Sequence, residues 1–143
     1  HLMGVDLRKT GSFSVKDGTK TIAGEAFYWC NKITSVAIPN SVVSIGEYAF
    51  YNCDALVKIS LPSVTTINAS AFSGSAKFAT LILGASSVAQ LANTNAFNGT
   101  KIAGGTGYIY VPAALVDSYK AATNWANFAE QIRAIEDYPE ITA

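Results

Sequence analysis

The sequence predicts a repeat solenoid, in which short parallel strands stack in a right-handed coil closed by a C-terminal α-helical cap. Three observations carry this. Ala-Phe pairs recur at Ala26-Phe27, Ala49-Phe50, Ala71-Phe72 and Ala96-Phe97, spaced by 23, 22 and 25 residues. An aliphatic residue precedes each pair, at Ile22, Ile45, Ile67 and Leu91. An alternating apolar triplet follows each pair: Val36-Ala37-Ile38, Ile59-Ser60-Leu61, Leu81-Ile82-Leu83 and Ile109-Tyr110-Val111. Chance does not hold three features in one phase through four units, and self-similarity at a fixed period marks stacked repeats.

The triplet is the strand of each coil, since alternate residues of an extended segment point to one side. It begins nine residues after the Phe in the first three units and twelve after it in the last, which places an insertion at Lys101 to Gly107. A fifth triplet, Phe13-Ser14-Val15, lies 23 residues before Val36 and opens the array. Coils stacked ~4.8 Å apart set equal positions above one another, so the Phe residues form a buried ladder and the triplet ends form another. Pro39, Pro62 and Pro112 follow three of the strands and turn the chain, because proline has no N–H to donate. Val42 with Ile45, and Val64 with Ile67, predict a second short extended segment on the opposite wall. The Ala-Phe stretch after it is a turn or a single helical turn, with Ala kept small by the next coil.

An open stack leaves apolar surface at its ends, so the last unit must differ. Pro112 suits the first turn of a helix, and Leu115, Tyr119 and Ala122 share one helical face. Asn124 is placed to cap a second helix carrying Trp125, Phe128, Ala129 and Ile132 inward, with Trp125 and Phe128 over the last coil and Glu130, Gln131 and Arg133 facing water. The chain thus divides into an N-terminal edge (1–12), repeats of 22–25 residues (13–111, about four units), a helical cap (112–136) and a frayed tail or linker (137–143). His1-Leu2-Met3-Gly4 reads as a cloning scar, and Gly4 to Gly11 as a partial cap or a cut through a longer array.

Composition narrows the function. Of 143 residues half are hydrophobic and 14% charged, enough for one continuous core. Ten basic residues balance ten acidic ones, which removes the electrostatic footprint of a nucleic-acid binder. No window reaches the ~18 apolar residues of a membrane span. The single histidine is His1, no zinc spacing or phosphate loop occurs, and no cofactor is expected.

The pattern Ala-Phe-x-x-Cys-x-x-Leu/Ile-x-x-Val/Ile-x-Ile/Leu-Pro, seen here from Ala49-Phe50 through Cys53, Leu56, Ile59 and Leu61 to Pro62, resembles the BspA-like leucine-rich repeat family of bacterial surface proteins. Ala26 to Pro39 matches as closely. The third unit departs, with Ser75 for Cys, Phe78 for Leu and Gly84 for Pro, and the fourth has Thr100 at the Cys position. The resemblance spans roughly Phe13 to Ile135, and the segment from Tyr110-Val111-Pro112 to Trp125 looks like the ending common on such repeats. It implies a leucine-rich-repeat-like solenoid, placement at the cell surface or outside the cell, and roles in adhesion.

Candidate chemistry is sparse. Cys30 and Cys53 share one repeat position, and stacking brings their Cα atoms to roughly 5 Å, within disulfide range. The simpler reading is a ladder of buried free thiols, since Ser75 and Thr100 fill the position elsewhere. Neither cysteine has a histidine for a nucleophile. Glu25 and Glu47 could pair for acid/base work, but a solvated face accounts for them better. Asn68-Ala69-Ser70 and Asn98-Gly99-Thr100 match a glycosylation pattern that is common by chance.

The outward strand positions read Ser12, Ser35, Lys58, Thr80, Tyr108 in one row and Ser14, Ala37, Ser60, Ile82, Tyr110 in the next. The wall is small and polar at one end and apolar-aromatic near the cap. Exposed Tyr and Ile together suit a contact patch. The expected site is Ile82, Tyr108 and Tyr110 with Lys58 at its edge, facing a protein or glycan at a cell surface, unless the insertion or the cap folds over the tyrosines. A monomer is expected. The alternative role is a structural spacer or assembly repeat with no ligand of its own.

Overall fold

A computed structural model describes residues 4–6 and 8–142. His1 to Met3, the expected scar, lie outside the described residues.

The triplets form strands β1 (Gly11–Ser14), β3 (Ile33–Ala37), β5 (Lys58–Leu61), β7 (Thr80–Leu83) and β9 (Tyr108–Val111). The second wall holds two-residue strands β2 (Thr21–Ile22), β4 (Ser44–Ile45), β6 (Thr66–Ile67) and β8 (Gln90–Leu91). Pairing is parallel throughout and joins equal repeat positions, with Ile22 beside Ile45, Ile45 beside Ile67 and Ile67 beside Leu91. On the first wall β1 pairs with β3, and β5, β7 and β9 form a second sheet. Lys58 pairs with Thr80 and Thr80 with Tyr108, the register that the 22–25-residue period requires.

A third ladder runs through the Ala-Phe turns. Each Phe N–H donates to the Ala carbonyl of the next coil: Phe27 to Ala49 at 2.7 Å, Phe50 to Ala71 at 2.7 Å and Phe72 to Ala96 at 2.8 Å. Val5 N–H reaches Ala26 at 2.8 Å in the same way, so Val5 stands at a Phe position and residues 4–6 continue the stack. Turn backbone that would otherwise need water is satisfied by stacking itself.

Inside, the aromatic rings form a column. Phe27 and Phe50 stack with centroids 4.8 Å apart, Phe50 and Phe72 at 5.3 Å, and Phe72 and Phe97 at 5.9 Å. Phe13 closes one end edge-on to Phe27 at 5.3 Å. Phe78, a departure from the Leu of the motif, stacks on Phe72 at 4.6 Å and widens the column instead of interrupting it.

The cap follows expectation in its first half. After a 3-10 turn at Ala113–Leu115, helix α1 (Val116–Ala121) buries Tyr119, with Leu115 and Ala122 half-buried against the core. Phe128 meets Phe97 edge-on at 5.3 Å and Trp125 lies 6.1 Å from it, so both cover the last coil. The cap also satisfies the open edge of β8. Tyr119 Oη accepts the Ala89 N–H at 2.8 Å, Trp125 Nε1 donates to the Ala89 carbonyl at 2.7 Å, and Asn124 Nδ2 donates to Leu91 at 2.6 Å.

The second half differs from the expected helix. Trp125–Gln131 is a 3-10 segment, and Asn124 stands at φ 68° with its side chain on Leu91 instead of capping a helix. Ile132 leaves the helix and enters strand β10 (Ile132–Ala134), which pairs parallel with β9. The edge of β9 offers unpaired backbone groups, and satisfying them outweighs one more helical turn. Gln131 does not face water: it is half-buried, and its Nε2 donates to the carbonyls of Ile102 and Gly107, tying the insertion to the cap.

Nor is the tail frayed. Ile135–Asp137 and Pro139–Thr142 form 3-10 turns that lie against the outward face of the first wall.

Candidate functional site

The outward rows form as the register requires. In the first row Ser12 and Ser35 hydrogen-bond through their hydroxyls at 2.9 Å, and Lys58, Thr80 and Tyr108 follow as in-register neighbours. Tyr108 is 37% exposed, and the Arg133 guanidinium from β10 sits 4.8 Å from its ring centroid. Arg133 is thus brought onto the wall by the strand that replaced the expected helix, with its Nη1 donating to the Glu130 carbonyl at 2.6 Å.

The second row corrects the expected patch. Ile82 and Tyr110 point outward, in register with Ser60 and Arg133, but are only 3% and 8% exposed. The tail covers them. Tyr138 stands edge-on to Tyr110 at 5.4 Å, and Ile141 and Thr142 line a hollow of about 260 Å³ with Lys58, Ser60 and Ile82. Apolar outward side chains gain by being removed from water, and the tail supplies the cover. Burial raises the Tyr110 phenol above its ordinary value, with Tyr138 adding to the effect. Lys58 is exposed and donates to the Ile141 carbonyl at the rim. Of the four expected site residues, Lys58 and Tyr108 stand open, while Ile82 and Tyr110 form a floor beneath the tail.

A second cluster lies on the Ala-Phe edge of the first two coils. Tyr28 and Tyr51 occupy the position after the core Phe and stack at 5.0 Å with 16° between their planes. Trp29 and Tyr48 stand nearly perpendicular to Tyr51, at 6.1 and 5.3 Å. Trp29 is 45% exposed and Tyr48 40%. Both backbones are left-handed, at φ 61° and 57°. Sequence reasoning missed this group because the rings sit in turns, where hydrophobic periodicity is silent. The available signal was phase: Tyr28 and Tyr51 each follow a core Phe directly.

Residues 8–107 match the BspA type leucine-rich repeat region, in six copies. The chain belongs to that family. The match covers more than two thirds of the sequence and counts more copies than the four Ala-Phe units. Among curated proteins none matches the chain.

In this BspA type repeat, the Cys position has a local purpose. Cys53 Sγ donates to the Phe27 carbonyl of the preceding coil at 3.1 Å, and Cys30 Sγ approaches the Val5 carbonyl at 3.7 Å. Ser75 does the same with oxygen, donating to Phe50 at 2.7 Å while accepting the Cys53 N–H at 2.9 Å. Thr100 turns instead to Phe97 of its own coil, at 2.7 Å. The position takes a small donor that ties two coils together. Both cysteines are buried free thiols, and Cys53 is pushed up to about 12, mainly by burial and next by the neighbouring Cys30. A thiol so held is a poor nucleophile. Glu25 and Glu47 are exposed at the Ala-Phe edge. Among the described residues, no group of three His, Cys, Asp or Glu could hold a metal ion, and no helix is long and apolar enough to cross a membrane.

Proposed function

We propose that the chain is a non-enzymatic binding or adhesion module of a bacterial surface or secreted protein, presenting its outward strand wall to a protein or glycan partner. The observation that carries this reading is the row from Lys58 through Thr80 to Tyr108, held in register by parallel pairing and ending in the Tyr108–Arg133 stack. Tyr and Arg on a rigid sheet are the material of binding hot spots, because little side-chain freedom is lost on contact. Family membership supports the surface setting.

The test is a solid-phase binding screen of the purified chain against host matrix proteins and glycans. The proposal expects saturable binding that weakens at least about tenfold in Tyr108→Ala with Lys58→Ala, with an unchanged melt. No binder in the screen, or a binder indifferent to both substitutions, contradicts it.

A structural spacer or assembly repeat is the second reading. Among the described residues β1 pairs only with β3 and β2 only with β4, so both leave an edge open to further strands. Sedimentation equilibrium separates the two readings: concentration-dependent self-association favours assembly, and a monomer favours display.

A further inference from the structure

We propose that the Ala-Phe edge of the first two coils is a binding site for a neutral pyranose-containing glycan, stacked on Trp29 and Tyr48. This deepens the binding-module reading but uses a different edge of the coil from the Tyr108 row.

The first argument is backbone cost. Each coil has a left-handed position two residues after the core Phe, filled by Trp29, Asn52, Gly74 and Gly99 at φ 61°, 54°, 79° and 76°. Gly is the residue that suits this conformation, and a bulky side chain there costs roughly 1–2 kcal/mol. The third and fourth coils use Gly, and the first places its exposed Trp there. Two residues before the core Phe the same contrast recurs, with Glu25, Tyr48 and Ser70 at φ 63°, 57° and 57°. The fold does not need an aromatic ring at either position, and the strain points to a use outside it.

The second argument is geometry. Tyr28 and Tyr51 pack face to face and buttress Trp29 and Tyr48, so the two exposed rings are fixed before any ligand arrives. A pyranose presents an apolar C–H face that fits an aromatic ring, whose face is electronegative. The patch is confined to two coils, about 10 Å of stack. At the same phases the next two coils carry Ser70, Ser73 and Gly74, then Asn95, Asn98 and Gly99, with no ring. Four rings fall well short of the ~800 Å² per partner of a standard protein interface, whereas they match one or two sugar rings. Half-buried Ser73 and exposed Asn98 continue the line as hydroxyl and amide, a polar track for the next sugars.

The third argument is charge. Segments 24–30 and 46–54 contain Glu25, Glu47 and Asp54 and no Lys or Arg. On the N-terminal flank Asp6 and Arg8 neutralise each other at 3.0 Å. Carboxylates accept hydrogen bonds from sugar hydroxyls, and they repel sulfated or sialylated chains.

The chain contains two tryptophans, and Trp125 is buried, so Trp29 reports the site alone. The experiment titrates the full chain with cellohexaose, maltohexaose and mannohexaose, following tryptophan emission and calorimetric heat, with sialyllactose and a heparin octasaccharide as anionic comparators. Trp29→Gly and Tyr48→Ser borrow the residues of later coils, so each keeps a backbone-compatible side chain and the melting temperature is expected to hold. The proposal expects at least one neutral hexaose to bind, a blue shift of Trp29 emission, a loss of about tenfold or more in either variant, and no competition by the anionic sugars. It is overturned if no neutral hexaose binds at about millimolar concentration, if binding survives both substitutions, or if only an anionic glycan or a protein uses Trp29. Partner binding that needs Tyr108 but ignores Trp29→Gly refutes this site and leaves the strand-wall reading standing.

Discussion

The ring of Tyr138 stands edge-on against Tyr110, with centroids 5.4 Å apart and 66° between the planes. The contact converts an outward aromatic side chain into a buried one, and Ile141 and Thr142 do the same for Ile82 on the neighbouring strand.

Deleting residues 138–143 should therefore uncover two apolar side chains without touching the column of Phe rings. Fluorescence of a hydrophobic dye is expected to rise on the truncated chain while its melt falls only slightly, by about 1–2 kcal/mol of stability at most. The Tyr110 phenol, held up mainly by burial, should titrate closer to its ordinary value once open to water. Unchanged dye binding together with an unchanged phenolate titration would show that the tail does not cover the wall.

The tail also marks where the sequence stopped being legible. Interior positions repeat, so their register could be counted: Phe27, Phe50 and Phe72 lie one above another as the spacing required. The direction of Ile82 and Tyr110 followed from strand alternation. Their exposure did not, because it depends on a nonrepeating segment with little periodicity of its own. Ile132 was misassigned for a related reason. Its spacing from Trp125 and Phe128 fits a helix, but the open edge of β9 draws it into a strand, and no local pattern records that edge. The aromatic cluster around Tyr51 sits in turns, where the apolar alternation that identifies strands does not apply.

Phe50 is fully buried between Phe27 and Phe72 in the middle of the stack. Phe50→Ala should lose about 3–5 kcal/mol in a denaturant melt, from lost transfer energy and the cavity left behind. A near-neutral result would break the repeat register.

Cys53 and Ser75 make the same bond to the preceding coil, so Cys53→Ser should stay within about 1 kcal/mol of the parent. Cys53→Ala removes the donor from the buried Phe27 carbonyl and should cost about 1–3 kcal/mol. Equal losses in the two variants would mean that the donor is irrelevant.

The same thiol sets a pH dependence. Its folded value of about 12 lies above the ordinary 9.0, so the folded state holds the proton more tightly than the unfolded chain does. That contribution is full below pH 9 and is lost as pH rises toward 12. Tyr110 and Tyr119 are raised as well and add to the loss at the alkaline end. Stability measured from pH 7 upward should decline beyond about pH 9, and less steeply in Cys53→Ser. A parent and a variant with superimposable alkaline profiles would contradict this account of the thiol.

The central claim is that the outward strand wall is the face that binds. The most direct measurement is amide hydrogen exchange on the chain alone and saturated with a matrix protein or glycan that it captures. The account predicts slowed exchange over Lys58–Leu61, Thr80–Leu83 and Tyr108–Val111, with side-chain footprinting protecting Tyr108. Protection confined to the opposite wall, at Ser44–Ile45, Thr66–Ile67 and Gln90–Leu91, would contradict it.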